Sequence, residues 1–566
     1  MEEARGRPRA SSCTRGQLTR TRVGCASAYP FHVAGRVQMS AARNAFTKLV
    51  LVSLIAAAPL PGQAFNDLLT RAERTEFRET SSYDEVMELS ERLADLSPDI
   101  HLTSFGYTNE GRSLPLLVIG ASDASAEAVL ATGKTRVYVQ GNIHAGEVCG
   151  KEALLILLRR FATGDYPTWT DELILLIAPI YNADGNERVS LNNRPRQHGP
   201  IGGMGQRPNA QGLDLNRDHT KLDSPEARSL VAMMNAYDPH VTVDLHTTNG
   251  TRHAYYLTYS PPLHPNTPAS IDSLLRDRWL PEVTRRIKEK HGWDYYYYGN
   301  TGGRGGGDAA WRTFDHRPRF NNNYVGLRNR IAILSEAYAY ASFEDRVRAT
   351  LWFVEEILDY AQQNAAEIRQ IVEAADRVPV VGTELATRAQ PQRSAQEVTI
   401  LMGEVEQQRH PSTGQIILLR RDVANPTRMY EYGTFAPTET SVAPEAYYVL
   451  PDAEAAIERL EAHGITVVRY ATERELSVER FVIDSTTVAG REFQGRTERT
   501  IYGEWVPTMH TFPAGTAYVS VDQPLGRLAF TLLEPRSDDG FVAWAILDEQ
   551  IEQGLFPVLR VAAPGR

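Results

Sequence analysis

The chain holds its densest chemistry in Gly141-Asn142-Ile143-His144-Ala145-Gly146-Glu147. An imidazole and a carboxylate three residues apart, at a strand-to-helix turn, can converge on one metal ion. Such turns lie at the carboxyl edge of parallel sheets, where α/β proteins place their ligand sites. The pair alone is weak, because Glu147 could equally serve the dipole of the helix that follows. A second strand, His240 to Leu245, ends at His246 and would bring a third ligand to the same edge. Two imidazoles, one carboxylate and a water form a recurrent set for catalytic zinc. A third apolar strand, Ile331 to Ser335, ends at Glu336. An acid at that edge but outside the ligand set is what a general base requires; a salt-bridged structural carboxylate is the plainer reading. Between these stretches, Arg207 and the run Gly212-Leu213-Asp214-Leu215-Asn216-Arg217-Asp218 suit recognition of an anionic group. Asn216 and Asp218 could instead simply cap and turn the next helix.

Residues so far apart meet only if the scaffold delivers several strand ends to one edge. The pattern from about residue 80 to 375 does this. Tyr83–Leu96 has apolar residues at helical spacing. Leu114–Ile119, Arg136–Gln140 and Leu173–Ala178 read as strands, with helix-patterned Lys151–Phe161 between the last two. Pro225–Tyr237 reads as a helix, His240–Leu245 and Arg330–Leu334 as buried strands, and Phe343–Val378 as a long helical run. Continuously apolar strands separated by helices imply an α/β sheet covered on both faces. Ala386 to Gln396 is polar and reads as a linker. Beyond it, Val398–Met402, Gln415–Arg420, Ala517–Val521 and Leu528–Leu533 read as strands, with one amphipathic helix at Ala453–His463. This suggests a smaller α+β or β-rich domain.

The ordered set His144-x-x-Glu147, Arg207, Asn216-Arg217, His246 and Glu336 resembles the zinc carboxypeptidase family typified by carboxypeptidase A. Gly111-Arg112, Asn182-Ala183-Asp184-Gly185 and the Gly-x-Asp-x-Asn-Arg run at Gly212–Arg217 agree. The resemblance implies a mixed central sheet with helices on both faces and one zinc ion per chain. It also implies hydrolysis of C-terminal residues from peptides through a zinc-activated water. Residue by residue, it implies that His144, Glu147 and His246 bind zinc, and that Asp214 orients the first of these histidines. Glu336 would take the proton of the zinc-bound water and later protonate the leaving amine. Arg207 would stabilise the oxyanion, and Asn216 and Arg217 would hold the terminal carboxylate. Two features depart from the family. Gly146 stands where digestive members carry an arginine that makes an outer substrate contact. The family's mobile tyrosine has no clear counterpart, Tyr324 being the nearest candidate. The glycine-rich Gly299–Gly307 matches no phosphate loop but could line the pocket entrance. Bacterial relatives cleave cell-wall peptides, which keeps a peptidoglycan amide as an alternative substrate, and a binding protein on an inactive copy of the fold is the third reading.

Composition sets the outer bounds. The chain has 566 residues, 42% hydrophobic and 23% charged, which suits folded protein in more than one domain. Its net charge of −10 argues against a nucleic-acid partner. Cys13, Cys25 and Cys149 are too few for thiolate zinc or a disulfide framework. Residues 1–38 hold seven arginines and no lysine, and read as sequence upstream of the true start at Met39. Residues 39–64 read as a signal peptide: Arg43 and Lys48, an apolar run from Leu49, and the small residues Gly62 and Ala64. Cleavage near Ala64 would export the protein. It would also remove nine basic and two acidic residues, taking the net charge from −10 to −17. No other stretch is apolar and long enough to span a membrane. Cys149, then the only cysteine, is expected to be buried. The catalytic domain is placed at 65–385, the linker at 386–396 and the accessory domain at 397–566. The accessory domain is expected to pack on the catalytic one rather than bind glycans. The sequence does not specify an oligomeric state.

Overall fold

The computed structural model describes residues 68–248, 250–301 and 309–563, all within one compact unit, Pro59–Arg566. The readings of residues 1–38 and 39–64 fall outside the described residues, as does most of Gly299–Gly307. Among the described residues, no helix is long and apolar enough to cross a membrane.

The centre is an eight-stranded mixed sheet. Its strands are β1 (Ile100–Tyr107), β2 (Ser113–Ile119), β3 (Thr135–Gly141), β4 (Leu173–Ala178), β5 (Val241–Thr247), β6 (Leu257–Ser260), β7 (Tyr295–Tyr297) and β9 (Ile331–Ala337). The short β8 (Ala310–Arg312) lies outside it. The order is β1-β2-β4-β3-β5-β9-β6-β7, and β4, β3, β5 and β9 run parallel. These inner strands are buried along almost their whole length because both their faces are covered. Alternate residues sort accordingly. Val137, Val139, Leu175, Ile177, Ile331 and Ile333 face one core, under the helices Cys149–Ala162 and Phe343–Gln363. Tyr138, Ile174, Leu176 and Ala332 face the other, against the helix Pro225–Tyr237. That helix starts on an Ser224 cap followed by Pro225, both favoured at a helix start. Cys149 is buried, as expected.

The second core does not stop at the central sheet and its helices. Tyr447, Val449, Ile457, Leu460, Phe481, Leu528 and Leu532 belong to the same cluster as Tyr138 and Leu176. The C-terminal strands are β10 (Glu384–Gln392), β11 (Val398–Arg409), β12 (Ile416–Tyr432), β13 (Thr434–Val442), β14 (Ala446–Val449), β15 (Val468–Arg469), β16 (Arg474–Val488), β17 (Arg499–Phe512), β18 (Ala517–Ser520) and β19 (Val558–Val561). Six of them form the sheet β15-β18-β14-β19-β16-β17. Strand β12 also pairs in parallel with β8, so one ladder crosses between the two parts.

Three expectations change. Ala386 to Gln396 is not an unpaired connector: β10 pairs with β13, and Asn266 bonds both backbone groups of Ala386, at 2.8 and 2.9 Å. Its side chains are polar because the outer part of the strand is exposed, while its backbone is satisfied by the ladder. Leu528–Leu533 is not a strand but part of the helix Gly526–Leu533. That helix is buried all round, and a short apolar run reads alike as a buried strand or a buried helix. The run Phe343–Val378 breaks at Asn364 into two helices, Phe343–Gln363 and Ala365–Arg377.

Candidate active site

Three strand ends assemble the site. Beyond β3, Asn142 adopts a left-handed backbone (φ 68°), which turns the chain so that His144 and Glu147 come back over the sheet edge. In the β5–β9 ladder, His246 stands directly opposite Glu336. Donor atoms of His144, Glu147 and His246 all lie within 4.8 Å of one another, and all three residues are buried.

Both imidazoles are held in one orientation by carboxylates. His144 turns Nε2 to Asp214 Oδ1 at 2.9 Å, and His246 turns Nε2 to Asp244 Oδ2 at 2.9 Å. An ionised carboxylate only accepts, so each Nε2 carries the proton and each Nδ1 presents a lone pair. The two Nδ1 atoms are 3.2 Å apart, and the Glu147 carboxylate lies 3.1 Å from one and 3.0 Å from the other. Two imidazoles and a carboxylate aimed at one point form a donor set that could hold a metal ion, with carboxylates behind both rings. Burial alone would raise Glu147, but His144 and Arg194 hold its carboxyl well below the usual range. Asp214 is likewise held low, against burial, by His144, Arg207 and Arg217.

The turn Leu215–Arg217 positions the next group. Asp214 caps it, accepting from Asn216 N at 3.0 Å. Arg207 grips Asp214 Oδ2 through Nε and Nη2, at 3.0 and 2.8 Å, leaving Nη1 3.2 Å from His144 Nδ1. Asn216 lies 3.4 Å from His246 Nε2 and accepts from Asn321 N at 2.8 Å. Arg217 stacks on the Phe320 ring at 3.8 Å. Asp218, in contrast, is structural: it accepts from Asp223 N and Ser224 N just before the helix.

Every residue proposed from the sequence except Asp214, which stands behind His144, lines one cavity: His144, Glu147, Arg207, Asn216, Arg217, His246 and Glu336. Glu336 Oε2 is buried there without a hydrogen-bond partner among the described residues. Burial and the neighbouring Glu147 push its pKa up to about 8, against the pull of His246 and Arg207. Tyr324 is not part of this wall; it is fully buried, with its hydroxyl 2.8 Å from His463 Nδ1. Tyr298 lines the cavity instead, its hydroxyl accepting from Asn300 at 2.8 Å.

Sequence reasoning missed Arg194, Tyr298, Phe314, Phe320 and Asp244. Only Asp244 left a local signal: two residues before His246, it points to the same side of β5. Arg194 occupies the space over Gly146, whose added Cβ would fall 3.1 Å from Arg194 Nε and 2.7 Å from Gly205 O. Its Nη2 donates to Glu147 Oε1 at 2.6 Å. A guanidinium therefore reaches this corner from a distant loop, over the position where digestive members carry theirs.

A buried two-histidine, one-carboxylate set at the edge of a mixed α/β sheet is a metallohydrolase arrangement, and known proteins narrow it further. Residues 86–315 match the family model described as zinc carboxypeptidase. "Carboxypeptidase 2" of Trichophyton rubrum is 25% identical over 488 residues, spanning 82% of this chain and 84% of that protein. "Carboxypeptidase E" of Caenorhabditis elegans is 33% identical over 143 residues, 24% of this chain and 28% of that protein. Among solved structures, a putative carboxypeptidase A from Shewanella denitrificans OS-217 aligns over 52% of this chain and 70% of that chain, with 19% identity and a TM-score of 0.37. The chain carries a zinc carboxypeptidase domain and is a hydrolase of the metallocarboxypeptidase class.

Proposed function

We propose that this chain is an exported carboxypeptidase that removes C-terminal residues from peptides with one zinc ion. The observation that carries this reading is the convergence of the three donor residues, Glu336 and three arginines on one cavity. His144 Nδ1, His246 Nδ1 and the Glu147 carboxylate would hold the zinc. When bound, zinc acidifies a water and polarises the scissile carbonyl. The rest is the work of side chains. Glu336 accepts the water's proton at its unpaired Oε2 and returns it to the leaving amine. Arg207, gripped by Asp214, donates from Nη1 to the oxygen on which negative charge develops. Asn216 and Arg217 hold the substrate's terminal carboxylate, which restricts cleavage to the last residue. Residues 65–385 form the catalytic region, and residues of 397–566 join the hydrophobic core on one side of its sheet. Export rests on the leader-like residues 39–64.

Metal analysis of the purified protein should give one zinc per chain. A peptide with a free C-terminus should be cut and its C-terminal amide left intact; equal cleavage of both would refute the roles of Asn216 and Arg217. Including D-residues and diaminopimelate-containing wall peptides in the panel decides between ordinary peptides and cell-wall substrates.

A further inference from the structure

Between β16 and β17 the chain makes a two-residue turn whose tip reaches the loop behind His144. Phe493 and Arg496 bridge each other, and Gln494 and Gly495 between them both take left-handed backbone, with φ of 53° and 77°. Gln494 Oε1 accepts from Asp214 N at 2.6 Å. The turn is fixed around that contact. Arg496 donates to both oxygens of Asp223, each at 2.7 Å, and to the Trp544 carbonyl at 3.2 Å. Phe493 stacks on the Trp544 ring.

Asp214 is the residue through which this contact matters. Its carboxylate fixes the tautomer of His144, grips Arg207 and caps the turn that carries Asn216 and Arg217. With its side chain engaged on three sides, the backbone of Asp214 sets where all of them point. That backbone's N–H is satisfied not by the catalytic region but by a side chain 280 residues later in the chain.

We infer that Gln494 is a positioning residue of the metal site, holding the Asp214 backbone so that His144 and Arg207 face the cavity. The C-terminal region thereby completes the active site instead of merely covering the sheet. This rests on the reading of His144, Glu147 and His246 as zinc ligands.

The test uses the full chain. Gln494→Gly removes the side chain while keeping a left-handed backbone at no steric cost. Gln494→Glu keeps an acceptor oxygen in place. Zinc affinity is measured by chelator competition, alongside kcat, KM and the melting temperature of the metal-free protein. Support of a ligand histidine is worth about 10–100-fold in metal affinity, so Gln494→Gly should lose about tenfold. Its kcat should fall while KM holds, its metal-free melting temperature should stay within about 2 °C, and Gln494→Glu should recover most of the loss. Unchanged zinc affinity in Gln494→Gly, or equal losses in both variants, would overturn the inference. A fall of metal-free melting temperature that accounts for the loss would do so as well, by assigning Gln494 to folding. If the unsubstituted chain binds no zinc, the reading of the ligands itself fails.

Discussion

Glu336 and Asp244 stand on adjacent strands of one ladder, yet their substitution should separate two functions. Glu336 Oε2 has no partner among the described residues and borders the cavity. Glu336→Gln should therefore keep its zinc and lose activity by about 10²–10⁴-fold, the usual contribution of a general base. Full activity with metal retained would remove it from that role. Asp244 holds the far side of His246 while its other oxygen accepts from Gln140, so Asp244→Asn should lower zinc affinity by about 10–100-fold. Equilibrium dialysis against zinc checks this, and a variant that binds zinc as the parent does would contradict it. The ligands were legible because each sits at the end of an apolar strand, and order along the chain did the rest. Arg194 and Tyr298 were not, because only the folded chain brings their loops to the cavity. Gly146 shows the limit: the sequence marks a missing arginine but cannot show that Arg194 lies over the vacated space.

Helix Gly526–Leu533 illustrates the same limit for elements. Its residues carry no polar face because the helix lies wholly inside the second core. Phe530 is fully buried in it. Phe530→Ala should cost about 3–5 kcal/mol, through lost burial and the cavity left behind. Denaturant unfolding measures this, and a cost under about 1 kcal/mol would mean the helix is not the core element described. Periodicity did identify the helices Tyr83–Leu96 and Pro225–Tyr237, which have one solvent face each. It identified β4 because six apolar residues in a row suit a doubly covered strand, and β3 and β5 from their alternating valines. The polar strand β10 escaped it, since nothing in Thr387-Arg388-Ala389-Gln390 signals the partner strand β13.

Across the whole molecule, charge clusters tie the catalytic region to the C-terminal one. Asp223 meets Arg459 and Arg496 at 3.0 and 2.7 Å, with Lys221 at 3.3 Å. Burial would raise its pKa, but these cations hold it at about 2, below the ordinary carboxylate value. A depressed carboxylate stabilises the fold fully above its unfolded pKa, about 3.9, and this contribution is lost as pH falls through about 2. Asp223→Asn should therefore flatten the acid limb of the stability curve between about pH 4 and 2. An unaltered limb would show that the cluster does not carry this linkage. The shared second core predicts more. Truncation after residue 385 strips Tyr447, Ile457, Leu460 and Leu528 from that core and bares the apolar residues packed with them, so a 65–385 fragment should be insoluble or molten. A soluble, active fragment would show the C-terminal region to be dispensable.

That shared core also orders events in time. The helix Pro225–Tyr237 leaves the ribosome some 210 to 310 residues before the segments Tyr447–Val449 and Leu528–Leu533 that complete the core it belongs to. Contacts of such long sequence separation form late and slowly. A nascent chain of this kind holds one side of its second core open until synthesis is nearly complete. It stays unfinished, and dependent on protection from aggregation, for most of its elongation. On the export proposed above, that delay would be an asset, because the form that must be threaded is the one the chain keeps longest.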